Sequence, residues 1–400
     1  MRPWPLAIVA VVCAVLGAAA VLVVGNVAGL LDGDRTETIV VPAESPNLGL
    51  DGATTATARP LLGNGFVPAR VYAARSDGVV TIYAFYDRGD SASQGSGFVV
   101  SPKGYLLTSA HVISNAGPNT AGRAADRVFV GFKDGDRVPA EVVGWDAFDD
   151  VGVLRVDPQD HPLEPVPLGN SARVVVGEPV AAMGSPFGNE DSLAVGVVSA
   201  TRRSIPSLTS EYLVTDVIQT DAPITHGNSG GPLFDARGRV IGINAQIRSN
   251  SGEAEGVGFA IPINAARRSM QQLVANGRVV YAYVGVTTED LTPTLARHLG
   301  LRVKRGAMIG RVEDDTPADK AGLRGGTREE LFNGQRIRPG GDVIVAIDGT
   351  EVRSADDVVR IVAESLVPGQ GARFTVVREG RRSDVHVTLG TRPQSAGPGR

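Results

Sequence analysis

With 400 residues, 42% of them hydrophobic and 20% charged, the chain is long enough to bury two or three cores. Its 39 basic and 43 acidic side chains leave a net charge of -4, which excludes the positive field that gathers nucleic acid. The one cysteine, Cys13, excludes an internal disulfide and a cysteine-based metal cluster, so no metal or cofactor is expected, and 50 glycines with few aromatics suit short strands and tight turns.

Residues 6–31 carry no charge, a run long enough as a helix to cross the ~30 Å hydrocarbon core of a bilayer. Arg2 precedes the run, and Asp32, Asp34 and Arg35 follow it. Residues 1–31 are therefore predicted to be a transmembrane anchor with a cytoplasmic N-terminus; a leader cleaved near Ala18-Ala19-Ala20 is the alternative. Residues 32–68 mix Thr, Ala, Gly, Pro and Asn without period and read as a flexible linker. From Val79 onward, β-branched runs recur between turn signals, for example Val128-Phe129-Val130 and the run from Val151, so residues 69–280 are predicted to be an all-β barrel or sandwich domain. Asp235-Ala236-Arg237-Gly238 between two apolar runs predicts a hairpin, and a helical pattern begins at Ile263. A second domain, residues 281–390, follows with strands near 343–347 and 373–377 and a helix capped by Ser354. Residues 391–400 read as a disordered tail.

The sharpest local signal is Gly227-Asn228-Ser229-Gly230-Gly231-Pro232. A serine hydroxyl becomes a nucleophile only beside a base, and the oxyanion that it creates needs preorganised N–H donors, which a glycine-rich backbone supplies. By itself the segment reads equally as a flexible loop. His111, directly after the apolar Leu106-Leu107 run, is the candidate base, whereas His161, His298 and His386 lie in polar surroundings without evident partners, and His226 reads as a loop residue near the substrate. The carboxylate that orients the imidazole must come from Asp146, Asp149 or Asp150. Asp150, at the mouth of the Val151-Gly152-Val153-Leu154 strand, is preferred, with Asp149 in reserve.

Five motifs taken together carry a family resemblance: Thr108-Ser109-Ala110-His111-Val112, Asp150-Val151-Gly152-Val153-Leu154, Gly184-Ser185-Pro186-Phe187-Gly188, Gln219-Thr220-Asp221-Ala222 ahead of Gly227-Asn228-Ser229-Gly230-Gly231, and Gly258-Phe259-Ala260-Ile261-Pro262. In this order they resemble the HtrA (DegP-like) serine proteases. The resemblance implies a mostly β, chymotrypsin-like double β-barrel in which His111 is the base, Asp150 its orienter and Ser229 the nucleophile, with Gly227, Asn228 and Ser229 as the oxyanion hole. It also implies that residues 201–212 and 247–257 are mobile loops. Thr225-His226 departs from the family's usual Asn-Pro, which bears on the substrate pocket.

Tyr283-Val284-Gly285-Val286, Thr316-Pro317-Ala318 with Ala321-Gly322-Leu323, and the Gly341-Asp342-Val343 run resemble a PDZ α/β domain. In such a domain a peptide C-terminus adds as a strand, here with its carboxylate at Tyr283, Val284, Gly285 and Val286 and its side chain toward the helix after Ser354. Residues 324–340 are longer than the usual connection and read as a surface insertion. The expected whole is a membrane-anchored, extracytoplasmic, trimeric endopeptidase of protein quality control and stress response. It would act on misfolded proteins and be regulated by peptide C-termini; the alternative is a chaperone or scaffold with a latent site.

Overall fold

Two closed barrels account for the β-rich sequence. The structure, a computed structural model, describes residues 65–393 except 90, 119, 121, 185–191, 226 and 246–256. Helix α1 (Pro68–Arg75) opens on a proline whose fixed φ suits a first helical turn. The first barrel contains β1 (Val79–Tyr86), β2 (Ser91–Val99), β3 (Tyr105–Ser109), the one-turn helix α2 (Ala110–Ile113), β4 (Arg127–Gly131), β5 (Arg137–Asp146) and β6 (Val151–Arg155), closed in the order β1-β2-β3-β6-β5-β4. The second contains β7 (Pro179–Gly184), β8 (Ser192–Pro206), β9 (Leu213–Thr220), β10 (Pro232–Asp235), β11 (Val240–Ala245) and β12 (Gly258–Pro262), closed as β10-β11-β12-β9-β8-β7.

Alternation along the strands explains why several read as unbroken apolar runs. On β3, Leu106 points into the first barrel while Leu107 points into a core shared between the barrels; on β6, Leu154 and Val153 divide in the same way. On β7, Val180 and Ala182 fill the second barrel, whereas Ala181 and Met183 join the shared core. A strand buried on both faces has no polar side to show. Helix α3 (Ile263–Asn276) seals that shared core with Ile263, Ala266 and Leu273. It ends where Gly277 takes φ 68, the left-handed cap that a glycine adopts without strain.

The C-terminal domain follows with β13 (Ala282–Tyr283), β14 (Val286–Leu291), α4 (Pro293–His298), β15 (Gly306–Val312), α5 (Pro317–Ala321), β16 (Glu330–Phe332), β17 (Gln335–Ile337), β18 (Val343–Ile347), β19 (Thr350–Glu351), α6 (Ala355–Ser365), β20 (Gly371–Arg378), β21 (Arg381–Thr388) and β22 (Gly390–Thr391). Its main sheet runs β14-β15-β18-β20-β21, and β22 pairs with β13. Helix α6 covers the sheet with Val358, Ile361 and Val362, and Ser354 caps it by accepting the Asp357 amide at 3.2 Å. Asp342 is wholly buried and meets Arg378 through two contacts of 2.7 Å while accepting the Arg324 amide at 2.9 Å. Arg378→Met leaves that carboxylate buried without its cation. Denaturant titration is expected to show a loss of about 3–5 kcal/mol in this domain.

Two expectations need correction. Residues 201–212 are not a loop throughout, because β8 continues to Pro206; its pairing with β9 shifts register three times and Arg202 takes φ 59, which erases the period-2 pattern from Thr201-Arg202-Arg203-Ser204. The tail expected from 391 onward does not begin there, because Thr391 pairs with Ala282 between β22 and β13; within the surface insertion at 324–340, β16 and β17 form a hairpin around Asn333-Gly334, both at positive φ as a tight primed turn requires. The uncharged run 6–31, the 32–64 part of the linker and the tail from 394 onward lie outside the described residues. Among the described residues, no helix is long and apolar enough to cross a membrane.

Candidate active site

His111 rides on α2 immediately after β3, and Asp150 stands just before β6, the strand that pairs with β3. Sheet register therefore sets the two face to face. Asp150 accepts the His111 amide through Oδ1 at 3.0 Å and meets the ring Nδ1 through Oδ2 at 2.7 Å, while its carbonyl accepts the Ala110 amide at 3.1 Å. Only a residue at positive φ turns carboxylate and carbonyl together onto this segment; Asp150 has φ 54, a region that aspartate tolerates better than most residues. Burial pulls the His111 pKa down, but the charge and hydrogen bond of Asp150 outweigh it and leave the imidazole above its ordinary value. With Nδ1–H donated to Asp150, Nε2 is the free, proton-accepting nitrogen.

Ser229 comes from the second barrel, yet its loop is gripped by the first. Ser96 on β2 donates its amide to the Ser229 carbonyl at 2.9 Å and its hydroxyl to the Gly227 carbonyl, and Thr108 on β3 donates its hydroxyl to the Ser96 carbonyl at 2.7 Å. Gly230, at φ 85, lies so close that an added Cβ would stand 2.3 Å from the Ser96 oxygen and 3.0 Å from the Ser109 nitrogen. That contact brings the serine loop within two residues of His111. From the second barrel, Asn244 spreads its amide over the carbonyls of Met183, Asn228 and Pro232 at 3.2–3.3 Å and tethers the loop from behind. Neither Ser96 nor Asn244 stands out in the sequence as a site residue; the available signal is an asparagine inside the buried run Ile243-Asn244-Ala245.

Asn228 serves the turn itself. Its amide donates to the Thr225 carbonyl at 3.3 Å and its side chain bonds the Thr225 amide and the Pro223 carbonyl. Its N–H is thus occupied, whereas the Gly227 and Ser229 N–H groups donate to no carbonyl among the described residues. Ser229 Oγ is buried and has no hydrogen-bond partner among the described residues. His226 and residues 247–256 of the expected second loop lie outside the described residues. Two other histidines have partners after all, since His161 meets Asp134 at 3.0 Å and stacks on Phe132, and His298 meets Glu330 at 2.6 Å. Among the described residues, no cluster fit to hold a metal ion is found.

Behind Asp150 lies a second acidic group. The Tyr281 hydroxyl stands 2.5 Å from Asp146 Oδ2 and 2.8 Å from Asp149 Oδ2, and Ser269 donates to the same Asp146 oxygen at 2.7 Å. Burial first, then the two carboxylates, hold the Tyr281 pKa well above its ordinary value, so it stays a donor. One phenol proton cannot satisfy both acids. Burial and the neighbouring Asp146 charge push Asp149 up to about 6, against the opposing Tyr281 hydrogen bond and the Arg268 and Arg392 charges. A carboxyl that is more basic folded than unfolded adds stability below its unfolded pKa, and that contribution is lost as pH rises through about 6. Asp149→Asn is expected to remove this loss and to raise stability at pH 7–8 by about 1–2 kcal/mol, with a flatter stability profile between pH 4 and 7 in denaturant titrations.

In the C-terminal domain, Tyr283, Val284, Gly285 and Val286 line one end of a cavity of about 400 Å³ between β14 and α6. Val358 and Val362 make its apolar floor, and Tyr212, Leu213 and Thr215 of the second barrel wall its far side.

Residues 95–243 match the trypsin-like peptidase domain and residues 282–389 the PDZ domain. The chain is 39% identical over 308 residues to a probable periplasmic serine endoprotease DegP-like of Pseudomonas fulva (strain 12-X), covering 77% of this chain and 58% of that one. A protein of the same description from Hahella chejuensis (strain KCTC 2396) is 40% identical over 304 residues, with 76% and 58% covered. The chain thus spans less than two thirds of the length of these curated relatives. The solved structure of the HtrA-type protease AlgW with a tripeptide superimposes with a TM-score of 0.68 at 35% identity, covering 83% of this chain and 99% of that one. A double barrel with a serine loop beside a histidine–aspartate pair, a following PDZ domain and these matches together place the chain in the HtrA (DegP-like) family of serine proteases.

Proposed function

We propose that the chain is an endopeptidase that cleaves unfolded or damaged proteins outside the cytoplasm through an acyl-enzyme on Ser229. The observation that carries this reading is the 2.7 Å His111–Asp150 contact beside a serine loop whose Gly227 and Ser229 amides donate to no carbonyl among the described residues. Ser229 Oγ attacks the peptide carbonyl as His111 Nε2 takes its proton, and the two amides bind the oxyanion. The imidazolium, stabilised by Asp150, returns the proton to the leaving amine, and water then hydrolyses the acyl-enzyme by the same relay. No step needs a cofactor.

The extracytoplasmic location follows the periplasmic relatives, and attachment through residues 6–31 rests on the uncharged run. The cavity between β14 and α6, with Val358 and Val362 in its lining, suits an apolar peptide C-terminus added as a strand beside β14. A trimer built on the protease domains is the assembly that the resemblance implies. The Ser229 hydroxyl, without a hydrogen-bond partner among the described residues, favours a second reading, a scaffold or chaperone whose site stays latent until Oγ turns toward His111.

Digestion of unfolded casein by the full chain and by Ser229→Ala separates these readings. Cleavage by the wild type alone supports the endopeptidase, cleavage by neither supports the latent scaffold, and equal cleavage by both removes Ser229 from the reaction.

A further inference from the structure

Beside Tyr281, a cation from the far end of the C-terminal domain reaches the turn at 146–150. Arg392 follows β22, and its amide donates to the Tyr281 carbonyl at 2.9 Å. Its guanidinium carbon lies 5.3 Å from the Phe148 ring centre, 5.2 Å from Tyr212 and 5.1 Å from Tyr281. These rings, each less than a tenth exposed, also meet edge to face, Phe148 with Tyr212 at 5.5 Å and Phe148 with Tyr281 at 5.3 Å. Among the described residues, Arg392 has no carboxylate within ion-pair distance, so the ring faces hold it.

What the cage does follows from where its walls come from. Phe148 sits between Asp146 and Asp149, two residues before Asp150; Tyr212 closes the connection from β8 to β9; Tyr281 links the two domains and bonds both acids. Two like charges beside a single phenol proton repel unless a cation balances them, and the charges that oppose this at Asp149 are Arg268 on α3 and Arg392. Arg268 also stands 3.7 Å from Glu364 on α6, whereas Arg392 is the one of the two whose guanidinium lies over the rings that flank the turn.

We propose that Arg392 is a positioning residue for the reaction at Ser229: caged by Phe148, Tyr212 and Tyr281, it holds residues 146–150 so that Asp150 keeps the His111 ring in reacting orientation. This rests on the reading of Ser229, His111 and Asp150 as the reacting residues.

The test compares Arg392→Ala, Arg392→Lys and Ser229→Ala in the full chain, measuring kcat and KM on unfolded casein from pH 5 to 9, the labelling rate of Ser229 by a fluorophosphonate, and thermal unfolding. Arg392→Ala is expected to lower kcat and the labelling rate together by about tenfold, with KM changed less than about twofold. Arg392→Lys is expected to restore most of the rate, because an ammonium also binds ring faces. A wild-type kcat and labelling rate in Arg392→Ala, or a rise in KM alone, overturns the proposal. Should Arg392→Ala not fold, Phe148→Leu opens the cage while keeping its apolar bulk, and an unchanged kcat there overturns the proposal equally. Full activity in Ser229→Ala instead sinks the underlying reading, whatever Arg392 does.

Discussion

Ser229→Ala is expected to lower kcat on unfolded casein by about 10⁶-fold and at the same time to make the protein more stable. The activity loss follows from removing the atom that forms the acyl bond; what remains is binding and oxyanion stabilisation over the background rate. The stability gain follows from the position of the hydroxyl, which is buried with no hydrogen-bond partner among the described residues. Replacing a buried, unsatisfied oxygen with hydrogen removes a desolvation cost, expected at about 0.5–1 kcal/mol. Steady-state kinetics and calorimetry on the same preparation check both signs. A variant that is inactive and less stable would mean that Oγ has a partner in solution.

Asp150→Asn is expected to cost about 10³- to 10⁴-fold in kcat, since an amide can hold the ring in the wrong tautomer and cannot stabilise the imidazolium. Its pH signature is more diagnostic than its size. In the wild type, Asp150 outweighs burial and holds His111 above the ordinary histidine value, so the acid limb of kcat/KM lies above about 6.5. With Asp150 neutral only burial remains, and the limb moves below the ordinary value. Stability follows the same sign. A histidine raised on folding adds stability that is complete below its unfolded pKa and is lost as pH rises through the folded value, so the variant loses this acid-side contribution. A limb that stays in place shows that another group titrates there.

Much of the architecture was legible because it rests on local chemistry. Gly230 and Gly231 show by residue type alone, since an added Cβ would stand 2.3 Å and 2.2 Å from the Ser96 and Met183 carbonyl oxygens, and the β-branched runs show strands buried on both faces. What escaped has partners far away along the chain. Arg392 looks like the start of a loose tail because its cage is built from residues 148, 212 and 281, and no spacing rule joins those positions. Asp149 looked like a reserve for Asp150, whereas its carboxylate faces Tyr281 on the other side of the turn. The strand at 201–206 was hidden because successive bulges cancel the alternation by which strands are read.

The C-terminal sheet has two outer strands, β14 and β21, and each bears on how the protein behaves when crowded. An outer strand offers unpaired amides and carbonyls to any neighbouring chain, the usual start of runaway aggregation. β21 deters this with Arg381, Arg382 and Asp384, all exposed, so an approaching copy meets charge. β14 carries Glu289 and Asp290 near its end, and its other end borders the cavity that Val358 and Val362 of α6 and Tyr212 and Leu213 of the protease domain also line. On the proposed reading, a slot of about 400 Å³ would admit one chain end and not a sheet, leaving the edge open to a single peptide and closed to fibril growth.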